Sequence, residues 1–310
     1  MLHFGSPRKA EPVFPAPEDV PARVSEEQLL LALRSLRPAG KEREVSVDGV
    51  RCPMVEQGKG QDLLLVHGLG HDLADFTPLF EQRPEGFHLI ALDLPGFGLS
   101  DKPRRDYPLR LLTDAVLAAA QRAKRPPVVV ASSLGGHVAM LAALEEPDAF
   151  AGLVLLAPGG LSRTPLAVQA IARTYYSFDA ICARRDDEVV TNSRRIFRHE
   201  SAARERIAAR KLAIHRSAQK EAFAWSFARV VDDVFRNPVA ERLADIRVPR
   251  AIVFGEHDPI VSPTEGRIAA DRAKVPFQRM PGLGHLPMLE DPEAFARVVL
   301  PLARSMGASS

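Results

Sequence analysis

Val128-Val129-Val130-Ala131-Ser132-Ser133-Leu134-Gly135-Gly136-His137 carries a β-branched run into a small residue, a serine and two glycines, and an alanine-rich helical pattern follows. This order predicts a strand, a sharp turn and a helix, with Ser133 at the tip of the turn. Such a turn lifts a hydroxyl out of a sheet and aims backbone N–H groups at whatever it attacks. The residues two positions to either side must be small, because strand end and helix start approach closely and the serine backbone is commonly strained. Ala131 fills the first position, where glycine is more usual, and Gly135 the second. Ser132 competes as nucleophile, but its frame would put Leu134 where a small residue is needed. The bland reading is a buried strand followed by a loop serine that caps a helix.

Composition bounds the setting. The 310 residues allow one large domain or two modest ones, and 46% hydrophobic with 26% charged residues is ordinary for a soluble globular chain. A net charge of +2 argues against a dedicated nucleic-acid binder. No apolar run approaches the ~18 residues of a membrane span, and the first twenty residues lack a signal peptide's apolar core, so a cytoplasmic location is expected. Cys52 and Cys182 have no metal-ligand spacing and read as two free, part-buried thiols.

Working outward, residues 1–24 carry Pro7, Pro12, Pro15, Pro17 and Pro21 and read as an extended arm. Ser25-Glu26-Glu27-Gln28 starts a capped short helix that ends before Pro38. Residues 43–47 and 50–56 read as a hairpin closed by Asp48-Gly49, with Pro53 suiting an edge strand. Apolar strands follow at 63–66, 88–92, 128–131, 153–156 and 251–254, with a weaker one at 276–280. Helical patterns such as 109–123 and 293–304 separate most of them. Near-continuous apolar strands alternating with helices indicate a parallel sheet covered on both faces. Residues 161–240 break the rhythm with helical patterns and no good strand. They hold 15 Arg and Lys against 9 Asp and Glu, a balance of +6 against −4 elsewhere. A solvated basic surface accounts for this, and steering of anionic substrates is the sharper reading.

A serine needs a base, a group that orients the base, and donors for the oxyanion. The base candidate is His285, in a glycine-rich loop after the last strand. The acid candidate is Asp258, just past a strand end where ligand-facing loops of an open sheet gather; Glu256 is the alternative acid. The oxyanion donors are the N–H of Leu134, directly after the serine, and of Leu69, in His67-Gly68-Leu69-Gly70. His67 and Gly68 shape that turn, and His71 lines a pocket or the surface.

These stretches, with Asp93-Leu94-Pro95-Gly96-Phe97-Gly98-Leu99-Ser100-Asp101, run in the order Ser, Asp, His over residues 43–304. Together they resemble the α/β-hydrolase superfamily, in its serine-nucleophile branch with a helical cap. The resemblance implies an α/β fold: a mostly parallel, doubly wound eight-stranded sheet with an inserted helical cap. It implies nucleophile Ser133, acid Asp258, base His285, oxyanion donors Leu69 and Leu134, no cofactor and no metal. The 93–101 stretch then shapes a loop and supplies no acid. The domain reading is an arm and short helix at 1–42, a core at 43–160 and 241–304, a cap at 161–240 and a tail at 305–310.

Ser133 differs from the aspartate nucleophile of the dehalogenase and epoxide hydrolase branches. Pro158-Gly159-Gly160 resembles the serine-dependent C–C bond hydrolases. The expected activity is cleavage of carboxylic esters through an acyl-enzyme, with a small-molecule acyl substrate, no nucleic acid, no membrane span, and a monomeric or homodimeric state. The alternatives are another serine-dependent activity (thioesterase, lactonase, C–C hydrolase, perhydrolase or acyltransferase) and a non-catalytic binding protein. Tyr175, Tyr176 and Phe178, and Phe223, Trp225 and Phe227, form two aromatic groups that either pack the cap or line its pocket.

Overall fold

Alternation along the central strands sets the architecture. Leu64, Val66, Val129, Ala131, Leu153, Leu155, Ile252 and Phe254 join one buried cluster. Their neighbours Leu63, Leu65, Val128, Val130, Val154, Leu156, Ala251 and Val253 join a second. Side chains alternate across a strand, so a strand that is apolar at every position needs cover on both faces. The computed structural model describes residues 13–307 and supplies that cover. The arm's Pro7 and Pro12, His3 and tail residues 308–310 lie outside the described residues.

The elements, in chain order, are α1 (Glu26–Ser35), β1 (Lys41–Val47), β2 (Val50–Gly58), β3 (Gln61–Val66), α2 (Thr77–Gln82), β4 (Phe87–Leu92), α3 (Leu109–Ala120), β5 (Val128–Ser132), α4 (Leu134–Glu145) and β6 (Gly152–Leu156). Five helices follow: α5 (Leu166–Tyr175), α6 (Phe178–Ala183), α7 (Asp186–Arg194), α8 (Ala202–His215) and α9 (Lys220–Val234). Then come β7 (Arg250–Gly255), α10 (Pro263–Ala273), β8 (Phe277–Met280), α11 (Pro287–Glu290) and α12 (Pro292–Gly307). The eight strands form one sheet in the order β1-β2-β4-β3-β5-β6-β7-β8. The β1–β2 and β2–β4 pairs are antiparallel and the others parallel. Residues of α3, α4 and α10 pack on one face, and residues of α2, α11 and α12 on the other. No helix among the described residues is long and apolar enough to cross a membrane.

Two readings need correction. Pro53 does not lie on an edge strand, because β2 is flanked by β1 and β4. The β2–β4 ladder begins at Met54↔Leu92, and the Pro53 carbonyl accepts from Asp93 N at 2.9 Å. The missing N–H therefore falls where the ladder ends, so no strand bond is lost. Cys52 is fully rather than partly buried, and burial pushes its thiol up to about 11.

The first helix behaves as its sequence requires. Ser25 Oγ accepts from Gln28 N at 3.2 Å while Gln28 Oε1 accepts from Ser25 N at 3.0 Å, a reciprocal cap. Residues 13–24 pack back onto the body. Phe14, Val20 and Val24 join Leu29 and Leu33 of α1 and Ala209, Leu212 and Ala213 of α8 in a third apolar cluster. Val24 bridges Ser217, and Arg216 donates to the Val20 carbonyl.

Candidate active site

The parallel strands deliver their following loops to one edge of the sheet, where ligands gather in open α/β folds. Val66 pairs with Ala131, Ser132 with Leu156, Leu156 with Val253, and Gly255 with Met280. The loops holding Leu69, Ser133, Asp258 and His285 therefore leave one edge side by side.

Ser133 sits between β5 and α4 with φ 52° and ψ −116°, in the left-handed region that a non-glycine residue occupies only at a cost. Its N–H donates to Leu156 O at 2.8 Å, and its carbonyl accepts from His137 N and Gly159 N. The side chain makes no capping hydrogen bond to α4; it lines a cavity of about 230 Å³ together with Gly68, Leu69, Phe223 and His285. The helix-capping role is thus vacant, and the hydroxyl faces open space. Ser132, the competing nucleophile, is fully buried at the end of β5. The small residues have the steric reason that the sequence suggests. An ideal Cβ on Gly135 would stand 2.6 Å from the carbonyl oxygens of both Val66 and His67.

Asp258 and His285 meet. His285 Nδ1 lies 2.7 Å from Asp258 Oδ2, and both residues are buried. The other carboxylate oxygen, Oδ1, accepts from Ile260 N at 2.8 Å and Val261 N at 3.0 Å. Two backbone donors fix the carboxylate and leave Oδ2 for the imidazole. That fixes Nδ1 as the protonated nitrogen and leaves Nε2 with its lone pair. Glu256 is exposed and does a different job: its Oε2 accepts from Gly282 N at 3.1 Å, holding the histidine loop. The His285 N–H donates to Ile196 O, tying that loop to the segment after α7.

Leu134 is the first residue of α4, where backbone N–H groups have no intrahelical acceptor. Leu69 lines the same cavity from the loop after β3. His67 shapes that loop: its Nε2 accepts from Leu94 N at 2.9 Å, so its Nδ1 is the donor to Gly68 O at 2.8 Å. Asp93 is fully buried and holds neighbouring loops. It accepts from Leu73 N, Leu99 N and the Arg37 guanidinium.

The remaining histidines take other places. His137 is buried in α4 and its Nε2 donates to Asn237 O at 2.6 Å; burial lowers its pKa. Gly160 (φ +77°) approaches this ring so closely that a Cβ would lie 2.8 Å from Nε2, which gives Gly160 a packing reason. His71 lines the cavity. Its Nδ1 stands 2.8 Å from Asp75 Oδ2 but out of line for a hydrogen bond. Burial lowers its pKa to about 4. His88 pairs with Asp62, His199 meets Gly282 O, and His257 is exposed beside Glu256.

Of the six aromatic residues, Tyr176, Phe223 and Phe227 line the cavity. Phe178 and Trp225 pack on each other with rings 5.8 Å apart, and Trp225 Nε1 donates to Arg105 O. Both roles are therefore filled, by different members. Sequence reasoning gives no part to Lys211, yet it lines the cavity with Ile214 and His215. Their i, i+3, i+4 spacing, which puts them on one face of α8, was the available signal. Among the described residues no cluster of three His, Cys, Asp or Glu side chains could hold a metal ion.

An eight-stranded sheet of this order, with a serine on a left-handed turn and an Asp–His pair at the same edge, defines a hydrolase-type scaffold. The sequence profile of the alpha/beta hydrolase family matches residues 63–298, and the chain belongs to that family. An uncharacterized protein of Mycobacterium tuberculosis is 33% identical over 140 residues, covering 42% of this chain and 40% of that protein's length. Lipase 1 of Psychrobacter immobilis is 26% identical over 253 residues, covering 74% and 73%. A thermophilic esterase from Thermogutta terrifontis has the same fold, with a TM-score of 0.74 at 21% identity, covering 86% of this chain and all of that one.

Proposed function

We propose that the protein is a serine hydrolase that cleaves carboxylic esters through an acyl-enzyme. The observation that carries this reading is that the Ser133 side chain makes no helix cap and shares its cavity with His285, whose Nδ1 is held by Asp258. The ester-cleaving relatives support it. Ser133 Oγ attacks the ester carbonyl while His285 Nε2 takes the hydroxyl proton. Asp258 holds the imidazole tautomer and stabilises the imidazolium. The tetrahedral oxyanion rests on the N–H groups of Leu69 and Leu134, each such donor being worth about 2.7–4 kcal/mol in the transition state. His285 then protonates the leaving alcohol, and water repeats the sequence on the acyl-enzyme. Helices α5–α9 act as the cap that supplies the pocket.

A fluorophosphonate probe and a panel of p-nitrophenyl esters, alkyl thioesters and a vinylogous C–C substrate test the reading. Labelling at Ser133 that is lost in Ser133→Ala, with ester turnover, is expected. A folded protein that resists the probe would sink the serine mechanism. Turnover confined to thioester or C–C substrates would move the activity to another serine-dependent class.

A further inference from the structure

The cavity beside Ser133 is lined by four cationic side chains, Arg184, Arg195, Lys211 and Lys220, and by no Asp or Glu among the described residues. Three of the four have a plain structural setting. Arg184 donates to Tyr175 O and lies over the Tyr175 and Tyr176 rings, Arg195 is exposed, and Lys220 is half-buried at the start of α9. Lys211 differs. Its ammonium sits against the oxyanion loop, 3.4 Å from where a Cβ on Gly70 would be, and 5.3 Å from the centre of the Phe223 ring.

The nearby carboxylates are already committed. Arg210, on the same helix, lies 2.6 Å from Asp72 Oδ1 and 3.3 Å from Asp75 Oδ1. Asp72 Oδ1 also accepts from Ala74 N, and Asp75 Oδ2 faces His71. Lys211 thus projects a cation into a cavity whose other walls include Ile181, Val189, Ile214 and Phe227. Among the described residues the Phe223 ring is its one close partner there, so a half-buried ammonium is left free to take an anion from the cavity.

We propose that the substrate is an ester whose apolar chain ends in a carboxylate, and that Lys211 is the residue that holds this carboxylate. The inference rests on the ester-hydrolase reading for the scissile bond alone. An ammonium that lines a cavity together with apolar side chains matches a singly charged group carried on an alkyl or aryl chain. A phosphoryl group carries about −1.5 to −2 charges, more than one ammonium neutralises, and Arg184 lies over two tyrosine rings instead. Burial, reinforced by Arg210, brings the empty-site ammonium down to about 7; a bound carboxylate favours the charged form.

The test has a binding arm and a turnover arm. In the Ser133→Ala protein, monoethyl adipate and its uncharged isostere ethyl 6-amino-6-oxohexanoate are titrated by calorimetry at pH 7. The half-ester is expected to bind at least about tenfold tighter, the effect of one charge-assisted hydrogen bond. Lys211→Met in that background erases the difference, and Lys211→Arg retains a preference for the anion. Equal binding of the two ligands, or a preference that survives Lys211→Met, overturns the proposal; tighter binding of methyl phosphate than of the half-ester overturns the carboxylate assignment. With Ser133 present, the ratio of kcat/KM for the two esters is expected to fall at least about tenfold in Lys211→Met. A binding preference without turnover of either ester would sink the esterase reading and leave the anion site standing. Turnover of both at equal kcat/KM would do the reverse.

Discussion

Replacing Gly135 by alanine puts a methyl group into the joint between the serine turn and the loop after β3 that carries Leu69, the proposed oxyanion donor. The new Cβ would stand 2.6 Å from the carbonyl oxygens of Val66 and His67 and 2.9 Å from Val66 Cγ1. A relaxed carbon–oxygen contact is about 3.3 Å or longer, so the backbones must part by roughly 0.7 Å. Neither oxygen belongs to a flexible side chain, and His67 is two residues from Leu69. Overpacking of this kind costs about 1–3 kcal/mol. Alanine inside α4 returns about 1 kcal/mol of helix propensity, so the net loss in urea denaturation is only ~0–2 kcal/mol. Activity is the sharper readout. A misplacement near 1 Å at a reacting centre costs up to about 10²-fold, so kcat on p-nitrophenyl butyrate is expected to fall between ten- and a hundredfold, with KM nearly unchanged. Gly159→Ala is the control, since its Cβ meets nothing closer than 3.7 Å. A folded Gly135→Ala enzyme with kcat within about twofold of wild type would refute the claim that this contact sets the oxyanion geometry.

Asp258→Asn keeps the shape at the loop but removes the charge that orients His285, and kcat is expected to drop on the order of 10⁴-fold in steady-state assays; a loss below tenfold would remove Asp258 from the mechanism. Arg210→Met strands the buried carboxylates of Asp72 and Asp75, and urea melts are expected to show a loss of about 3–5 kcal/mol. The His71 pKa is lowered by burial from 6.5 to about 4, so between those values the unfolded chain takes up a proton that the folded chain refuses. Stability therefore falls as pH drops through that window, by up to about 3 kcal/mol, and His71→Asn should flatten the profile there; an unchanged slope would show that His71 is not its source.

The central strands were legible as apolar runs that need cover on both faces, and the structure divides their alternate side chains between two clusters. Leu69, Ser133 and Asp258 stood out as candidates because each lies within a few residues of the end of such a run, and His285 because a glycine-rich loop carries it after the weaker last strand. Pro53 misled because a proline's missing donor marks the end of a ladder as readily as an edge. The choice between Asp258 and Glu256 needed coordinates, since two residues on one loop differ only in which way the loop turns them. Lys211 and the division of the aromatics were hidden for a related reason. Which face of α8 or α9 meets the cavity depends on how the helices sit over the sheet, and Arg210 beside Lys211 reads in sequence as one more basic pair.

The left-handed backbone at Ser133 has a consequence for how this protein trades durability against chemistry. Glycine occupies φ 52° without the penalty that a side chain brings, so at this one position the most stable residue is an inert one. Ser133→Ala keeps the penalty and loses the hydroxyl; Ser133→Gly would shed both. Under the proposed mechanism the hydroxyl is what the chain gains in return for that backbone cost.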